Sequence, residues 1–595
     1  MNRYIFSTLV SLAVLFTSCN NDFLERQPLD EISNEAFWNT ENDLRVYNNS
    51  LYNLARNDNN VPIMMGHHNG FWSQAWSIWY LSGFSDDTAP RHPRSDEFQL
   101  VRAGKHFVPD NPFWFGYSGW NFVRAINFGL ENYDKADVSE EVRNRYIGEA
   151  RLFRGWFYAD KVSKFGDVQW VDQTLNVEDE EVLNGERDDR EMVMDNVLAD
   201  LTFAAENMPD DWGDGAAPGR MNRWAALLVK SRVCLFEGTW RKYHGGSNAE
   251  VWLQEAADAA EELITSGPYS LYSTGDPTTD YNAIHRMTDL SGNPEVIYWR
   301  RYQLGIFTNH VQSYHRSYIG GATKGMVEDY LCTDGLPISL SPLYQGDEVY
   351  ENIFENRDPR LRQTILHPDD VGDYMYGNIS PDVADYPKIQ GQTKPGQAST
   401  TGYHIIKVFE NNAAYATYNT SATPAITLRF GEALLNYAEA KAELGTITQA
   451  DLDMSVNLLR ARVAMPPMTT DVPMDPRYAN DGVSALIAEI RRERRVELFM
   501  EGSFRYDDLR RWGHGPKLRE KDLGMRWDEA NSSRFDPDGE ATIFTTEVDG
   551  VPYLDIYAGT DYAEPEFDES KHYLWPIPIN AISQNPNLGQ NPGWE

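Results

Sequence analysis

Apolar residues recur along much of this chain at helical spacing. Tyr146, Ala150, Phe153 and Phe157 step by four, three and four, which lines one face of a helix running to about Lys164, with Gly166 as its stop. Met194, Leu198, Leu201 and Ala205 form a second stripe, ended by Pro209. A third pair reads Trp224, Leu227, Leu228, Ser231 and Leu235, then Trp252, Ala256, Ala259 and Leu263 with Gly267 beyond. Leu428, Gly431, Leu435, Ala438 and Ala442 predict another helix, closed by Gly445, and Val456, Leu459 and Val463 answer it before a Pro-Pro break. A late helix is predicted from about Ser484 to Glu501.

Helical hairpins recurring in this way point to a tetratricopeptide-like superhelix, in which stacked pairs bury one continuous core. Their spacing is irregular, so long insertions separate them. Residues 268–424 carry Pro, Gly, Asn and Asp clusters between short apolar runs, the pattern of loops with a few short strands. The predicted fold is mainly α: a helical-hairpin superhelix supporting a large irregular, loop-rich ligand-binding half. Four parts follow: 1–18, a leader; 19–267, the first hairpins; 268–424, the irregular region; and 425–595, further hairpins and a closing strap.

The leader has Arg3, an apolar run from Tyr4 to Phe16, and small polar residues before Cys19. It is shorter than the ~20 residues of a spanning helix and matches an export signal. Ser18 directly before Cys19 suits a lipoprotein cut that leaves Cys19 acylated, although Phe16 stands where Leu is usual. An ordinary secretory cut nearby is the alternative; both export the chain. Of the remaining cysteines, Cys234 and Cys332, the first sits in a helical context that favours a buried thiol, and a disulfide between them stays open.

A formal charge of −37 argues against nucleic acid as partner, because phosphate binding rests on Lys and Arg. Polyanionic glycans meet the same repulsion, so neutral ligands fit best. The chain has no HExxH, GxSxG or GxxxxGK[ST], and DPDGE at 536–540 lacks EF-hand spacing, so no cofactor and no metal is assigned and no catalytic residue is named. His67, His68, His310 and His315 read as surface histidines, or ones that support a site from behind, rather than metal ligands. Arg491, Arg492, Arg494 and Arg495 alternate with Glu489, Glu493, Glu497 and Glu501, which reads as a network fastening strap and loops rather than an anion site.

The 17 Trp and 32 Tyr are crowded where no helical period runs, at 70–80 and 298–318. A pyranose presents flat C–H patches to aromatic faces while its hydroxyls demand polar partners. Trp72, Trp76 and Trp79 come with Gln74 and His68. Tyr302, Phe307, Tyr314 and Tyr318 come with Asn309, His315 and Arg316. These rings and their polar neighbours are the candidate ligand contacts.

Several segments resemble the SusD/RagB family of surface lipoproteins: CNNDFLERQP at the mature start, RLFRGWFYADKVSKFGDV, LRFGEALLNYAEAKAELG, IRRERRVELFMEGSFRYDDLRRWG, and the ending NPNLGQNPGW. The resemblance spans nearly the whole chain. It implies a non-enzymatic binding protein, lipid-anchored on the outer face of the outer membrane, that acts as lid of a SusC-like TonB-dependent transporter and delivers oligosaccharide to it. It also adds Arg91, His92 and Asp96, from a stretch that in the family often lies beside the ligand. Peptide cargo under the same lid, or a scaffold that binds only proteins, are the alternatives.

Overall fold

The computed structural model describes residues 37–55, 61–67, 77–90, 97–112, 116–213, 218–309, 311–312, 319–370, 389, 399–410, 412–416, 420–539 and 541–595. Cys19 lies outside them. Ten helices carry the scaffold: α1 (Glu41–Leu54), α2 (Trp120–Leu130), α3 (Glu140–Phe165), α4 (Arg190–Asn207), α5 (Arg223–His244), α6 (Ala249–Ser266), α7 (Phe430–Glu443), α8 (Val456–Arg462), α9 (Ala485–Glu497) and α10 (Phe504–Arg511). α3 packs on α4, α5 on α6, α6 on α7, and α7 on α9, so each hairpin passes its apolar face to the next. Among the described residues no helix is long and apolar enough to cross a membrane.

The stripes land where the periodicity places them. Tyr146, Ala150, Phe153 and Phe157 are buried in α3, and Gly166 ends the helix at φ +70°, a conformation that costs glycine little. α5 and α6 approach so closely that a Cβ on Gly238 would sit 2.9 Å from the backbone nitrogen of Leu253. Two expectations need correction. Leu428 is not helical: it lies in strand Ala425–Arg429, whose edge pairing competes successfully with the helical stripe, and α7 starts only at Phe430. The late helix stops at Glu497, four residues early, because Met500 takes φ +65° and turns Glu501 back toward the core.

Strands are short and stitch distant segments together. β1 (Thr88–Pro90) pairs antiparallel with β3 (Ile319–Ala322), and β2 (Val296–Arg300) with β4 (Ala425–Arg429). A three-stranded sheet follows, β5 (Leu523–Arg526) beside β7 (Val551–Asp555) beside β6 (Thr545–Val548). The irregular region is thus tied to its neighbours at both ends. Cys234 and Cys332 are both buried free thiols.

The C-terminal strap is held by Arg187, which donates from Nε to Leu588 O and from Nη1 to Asn591 Oδ1, each at 2.7 Å. Asn591 in turn donates to Trp575 O at 2.7 Å and Phe165 O at 3.0 Å. The four arginines of α9 bond instead to loop and helix carboxylates, so the network fastens loops while Arg187 fastens the strap.

Trp594 closes over His106 and His572, with ring centroids at 4.8 and 5.5 Å. Burial, then the positive charge of neighbours that include Lys571, pulls His106 down to about 3 and His572 down to about 4. A depressed imidazole contributes stability that is complete above the ordinary pKa of ~6.5 and is lost as pH falls toward the folded value. The thermal midpoint should therefore drop between pH 7 and pH 4, and drop less in a His106→Phe, His572→Phe double variant. An equal loss in both chains, measured by differential scanning calorimetry, would count against this assignment.

Candidate functional site

The described ends of the two aromatic-rich stretches, more than two hundred residues apart in sequence, pack against one another. His67 and Ser77 pair across an isolated bridge, with Ser77 Oγ 2.6 Å from His67 Nδ1. Tyr302 joins from the second stretch: its hydroxyl donates to His67 O at 2.7 Å and accepts from His67 N–H at 2.6 Å. Tyr80 donates its hydroxyl to Val311 O at 3.3 Å. Asn309 and Ser421 exchange backbone bonds at 2.9 Å, and Asn309 Nδ2 donates to Thr423 O at 2.9 Å. One apolar cluster, containing Trp79, Ala89, Tyr302, Val311, Ala322 and Tyr403, underlies all of it.

Trp72, Trp76, Arg91, His92, Asp96, Tyr314, His315 and Tyr318 lie outside the described residues, as do His68 and His310. Their flanks are described, and these converge. Residues 67 and 77 bracket one stretch, while Pro90 pairs with Ile319 and so joins the ends of two others.

Trp79, Tyr302 and Asn309 are buried, at 2%, 2% and 0% exposure. Trp79 stands edge-on to His67 at 4.5 Å, and the polar groups of Tyr302 and Asn309 are taken by backbone partners. These three form a floor. Phe307 is half-buried: it stacks on Tyr302 with centroids 5.3 Å apart and planes at 16°, and the Arg300 guanidinium lies 4.7 Å from its ring.

The hairpin that carries Phe307 is closed by Gln303 N donating to Phe307 O at 2.7 Å, with Gly305 at φ +79° making the turn. It presents Leu304 and Ile306 outward at 50% and 77% exposure. Arg300, Leu304 and Ile306 were not among the sequence candidates. No period marks them, and the only available signal was their place within the aromatic crowd at 298–318. His67 is not a surface histidine: it is buried, and its Nε2 lies 3.1 Å from Pro424 O.

The floor is anchored electrostatically from below. Asp86 and Asp87 immediately precede β1, and α9 and α10 reach them: Arg495 Nε of α9 donates to Asp87 at 2.8 Å, while Arg505 of α10 forks onto Asp86 at 2.8 and 2.9 Å. Burial pushes Asp87 up to about 6, opposed by Arg495 and aided by the charge of Asp86. At Asp86 burial is outweighed by Arg495 and Arg505, which hold its carboxyl well below the usual range. A separate cavity of about 160 Å³ opens between α3, α5 and α10, beside Trp156, Phe236 and Phe504. Its ions are already matched, Arg232 forking onto Glu432 at 2.6 Å, and it contains none of the candidate residues.

Comparison with known proteins agrees along the whole chain. The sequence model described as the SusD family matches residues 287–594, and one described as starch-binding, associating with the outer membrane, matches residues 22–235. A SusD-like protein of Bacteroides ovatus is 24% identical over 602 aligned residues, covering 98% of this chain and 97% of its own. Among solved structures, a SusD-like carbohydrate binding protein of Bacteroides fragilis superposes with a TM-score of 0.72 at 23% identity, over 93% of this chain and 99% of the other. A laminarin binding SusD-like protein superposes with a TM-score of 0.55 at 17% identity, over 93% and 100% of the two chains. At these identities the superpositions establish the fold, a mainly helical superhelix.

Proposed function

The chain belongs to the SusD family, and on that premise we propose that it is a cell-surface lipoprotein, acylated at Cys19, that captures neutral oligosaccharide and delivers it to a SusC-like TonB-dependent transporter as its lid. It binds and does not turn substrate over. The observation that supports the reading is the packing together of the described ends of both aromatic-rich stretches, with Trp79, Tyr302 and Asn309 buried beneath and Phe307, Leu304, Ile306 and Arg300 beside them. The description of one fold neighbour as laminarin binding supports a neutral polymer of this class, as does the net charge of −37. Trp72, Trp76, Tyr314 and Tyr318 are assigned as stacking platforms, and Arg91, His92, Asp96 and His315 as partners for sugar hydroxyls.

Calorimetric titration of the exported chain against a panel of neutral polysaccharides tests the reading. Losing ~60 Å² of ring face at ~25 cal/mol per Å² corresponds to about tenfold in affinity. Trp76→Ala and Tyr314→Ala should each weaken binding about that much with an unchanged unfolding midpoint. No binding across a broad panel would overturn the proposal.

A further inference from the structure

Where α9 and α10 meet the turn at Pro476–Tyr478 there is a cavity of about 10 Å³. Arg491, Arg492, Arg495, Arg505, Lys517 and His514 line it. Arg495 and Arg505 are matched by Asp86, Asp87 and Asp329 at 2.7 to 3.1 Å. Arg491 and Arg492 are matched only in part. Arg491 Nη2 donates to Glu443 Oε1 at 2.8 Å and to Tyr243 Oη at 2.9 Å. Arg492 Nη2 donates to Asp475 Oδ2 at 2.9 Å, and its Nε lies 3.1 Å from Glu489 Oε2.

The remaining nitrogens, Nε and Nη1 of Arg491 and Nη1 of Arg492, find no acceptor among the described residues. Both side chains are nevertheless more than nine-tenths buried, at 6% and 2% exposure. Their planes are covered by aromatic rings, Trp512 at 4.2 Å from Arg491 and Tyr478 at 5.2 Å from Arg492, so what remains unmet is a set of guanidinium edges. A buried charged donor without an acceptor is costly.

The chemistry of the unmet groups selects the occupant. All three are donors. A water accepts from them as well and can turn its hydrogens to Asp481 Oδ2 or His514 Nδ1, but it brings no charge to set against the four arginines and Lys517 on the wall, where Asp481 is the one carboxylate and holds Lys517 at 3.0 Å. An anion only accepts. A space of this size admits about one water-sized sphere, which excludes sulfate and phosphate. We propose that this cavity is a site for a monatomic anion, chloride under physiological conditions, held between the edges of Arg491 and Arg492. The site is distinct from the sugar face, and it stands whether or not that assignment holds.

Crystals of the protein grown with sodium bromide as the only halide salt, measured at the bromine absorption edge, test it directly. The expected result is an anomalous peak within hydrogen-bond reach of the Arg491 and Arg492 nitrogens. In solution, at constant ionic strength made up with gluconate, the thermal midpoint should rise with chloride and level off as the site fills. Density without anomalous signal at that position, or midpoints identical in chloride and gluconate, overturns the proposal.

Discussion

Glu497→Ala is expected to cost about 3–5 kcal/mol of folding stability, the range for breaking a buried ion pair by removing one partner. Glu497 is fully buried and serves three arginines. Its Oε1 accepts from Arg462 Nη2 at 2.6 Å and from Arg429 Nη1 at 2.9 Å, and its Oε2 accepts from Arg360 Nη1 at 2.9 Å. Removing the carboxylate strands guanidinium groups that cannot reach water. Against a typical total of about 5–15 kcal/mol, such a loss is large enough to deplete the folded chain in cells. Glu497→Gln keeps the shape and one acceptor, and should lose less. The exposed pair Arg223 and Glu262, about a third exposed on each side, supplies the contrast: Glu262→Ala should change stability by less than about 1 kcal/mol. Urea unfolding of the three variants checks the ranking, and a Glu497→Ala chain within 1 kcal/mol of the parent would refute the role given to the network. Acid acts in the same direction. Despite burial, the three arginines hold the Glu497 carboxyl well below its ordinary range, so its contribution is complete above the usual glutamate pKa and fades as pH falls beneath it.

That network shows where sequence reading succeeds and where it stops. The alternation of Arg and Glu along 489–501 announced pairing, and the local contact Arg492 Nε to Glu489 at 3.1 Å is present. Most of the partners, however, are remote in sequence. Arg495 bonds to Asp87 across 408 residues, and Arg511 to Glu439 across 72. Helical period carries no information about such pairs, whereas it fixed α3 through α7 well, because a stripe of four apolar residues already names the buried face. Leu428 shows the reverse failure: a residue two positions before a real helix fits its stripe, yet the pairing of β2 with β4 claims the segment.

The same physics explains the candidate site. That residues 70–80 and 298–318 were exceptional could be read from composition alone. Which rings turn inward could not, because irregular backbone has no period to separate faces. Trp79 and Phe307 have equal claims in the sequence, and only His67, Tyr302 and Arg300 packed around them decide that one is floor and the other rim.

A second large effect follows from how the segments beside β1 and β3 are rooted. Gly320 sits in β3 where the pairing with β1 is irregular, between the partners Ala89–Gly321 and Pro90–Ile319. Thr400 crosses the pair, its N–H donating to Gly320 O at 2.7 Å and its hydroxyl to Pro90 O at 2.9 Å, and Ser399 Oγ donates to Gly320 O at 2.6 Å. A Cβ on residue 320 would lie 1.9 Å from Thr400 Oγ1 and 2.3 Å from Pro90 O. The hydroxyl can rotate away, but the carbonyl is backbone and can yield only by moving β1 off β3. Gly320→Val should therefore displace the ends that carry Arg91, His92, Asp96, Tyr314, His315 and Tyr318, and lower glycan affinity more than tenfold. The helical core of α1 through α6 draws nothing from this strand pair, so the melting midpoint should fall by only a few degrees. Adding Thr400→Ala relieves the side-chain clash and leaves the one with Pro90 O, so it should recover affinity in part at most. Full affinity in Gly320→Val would mean that the β1–β3 root does not position the proposed sugar contacts, which would then have to be sought on the Gln303–Phe307 hairpin alone.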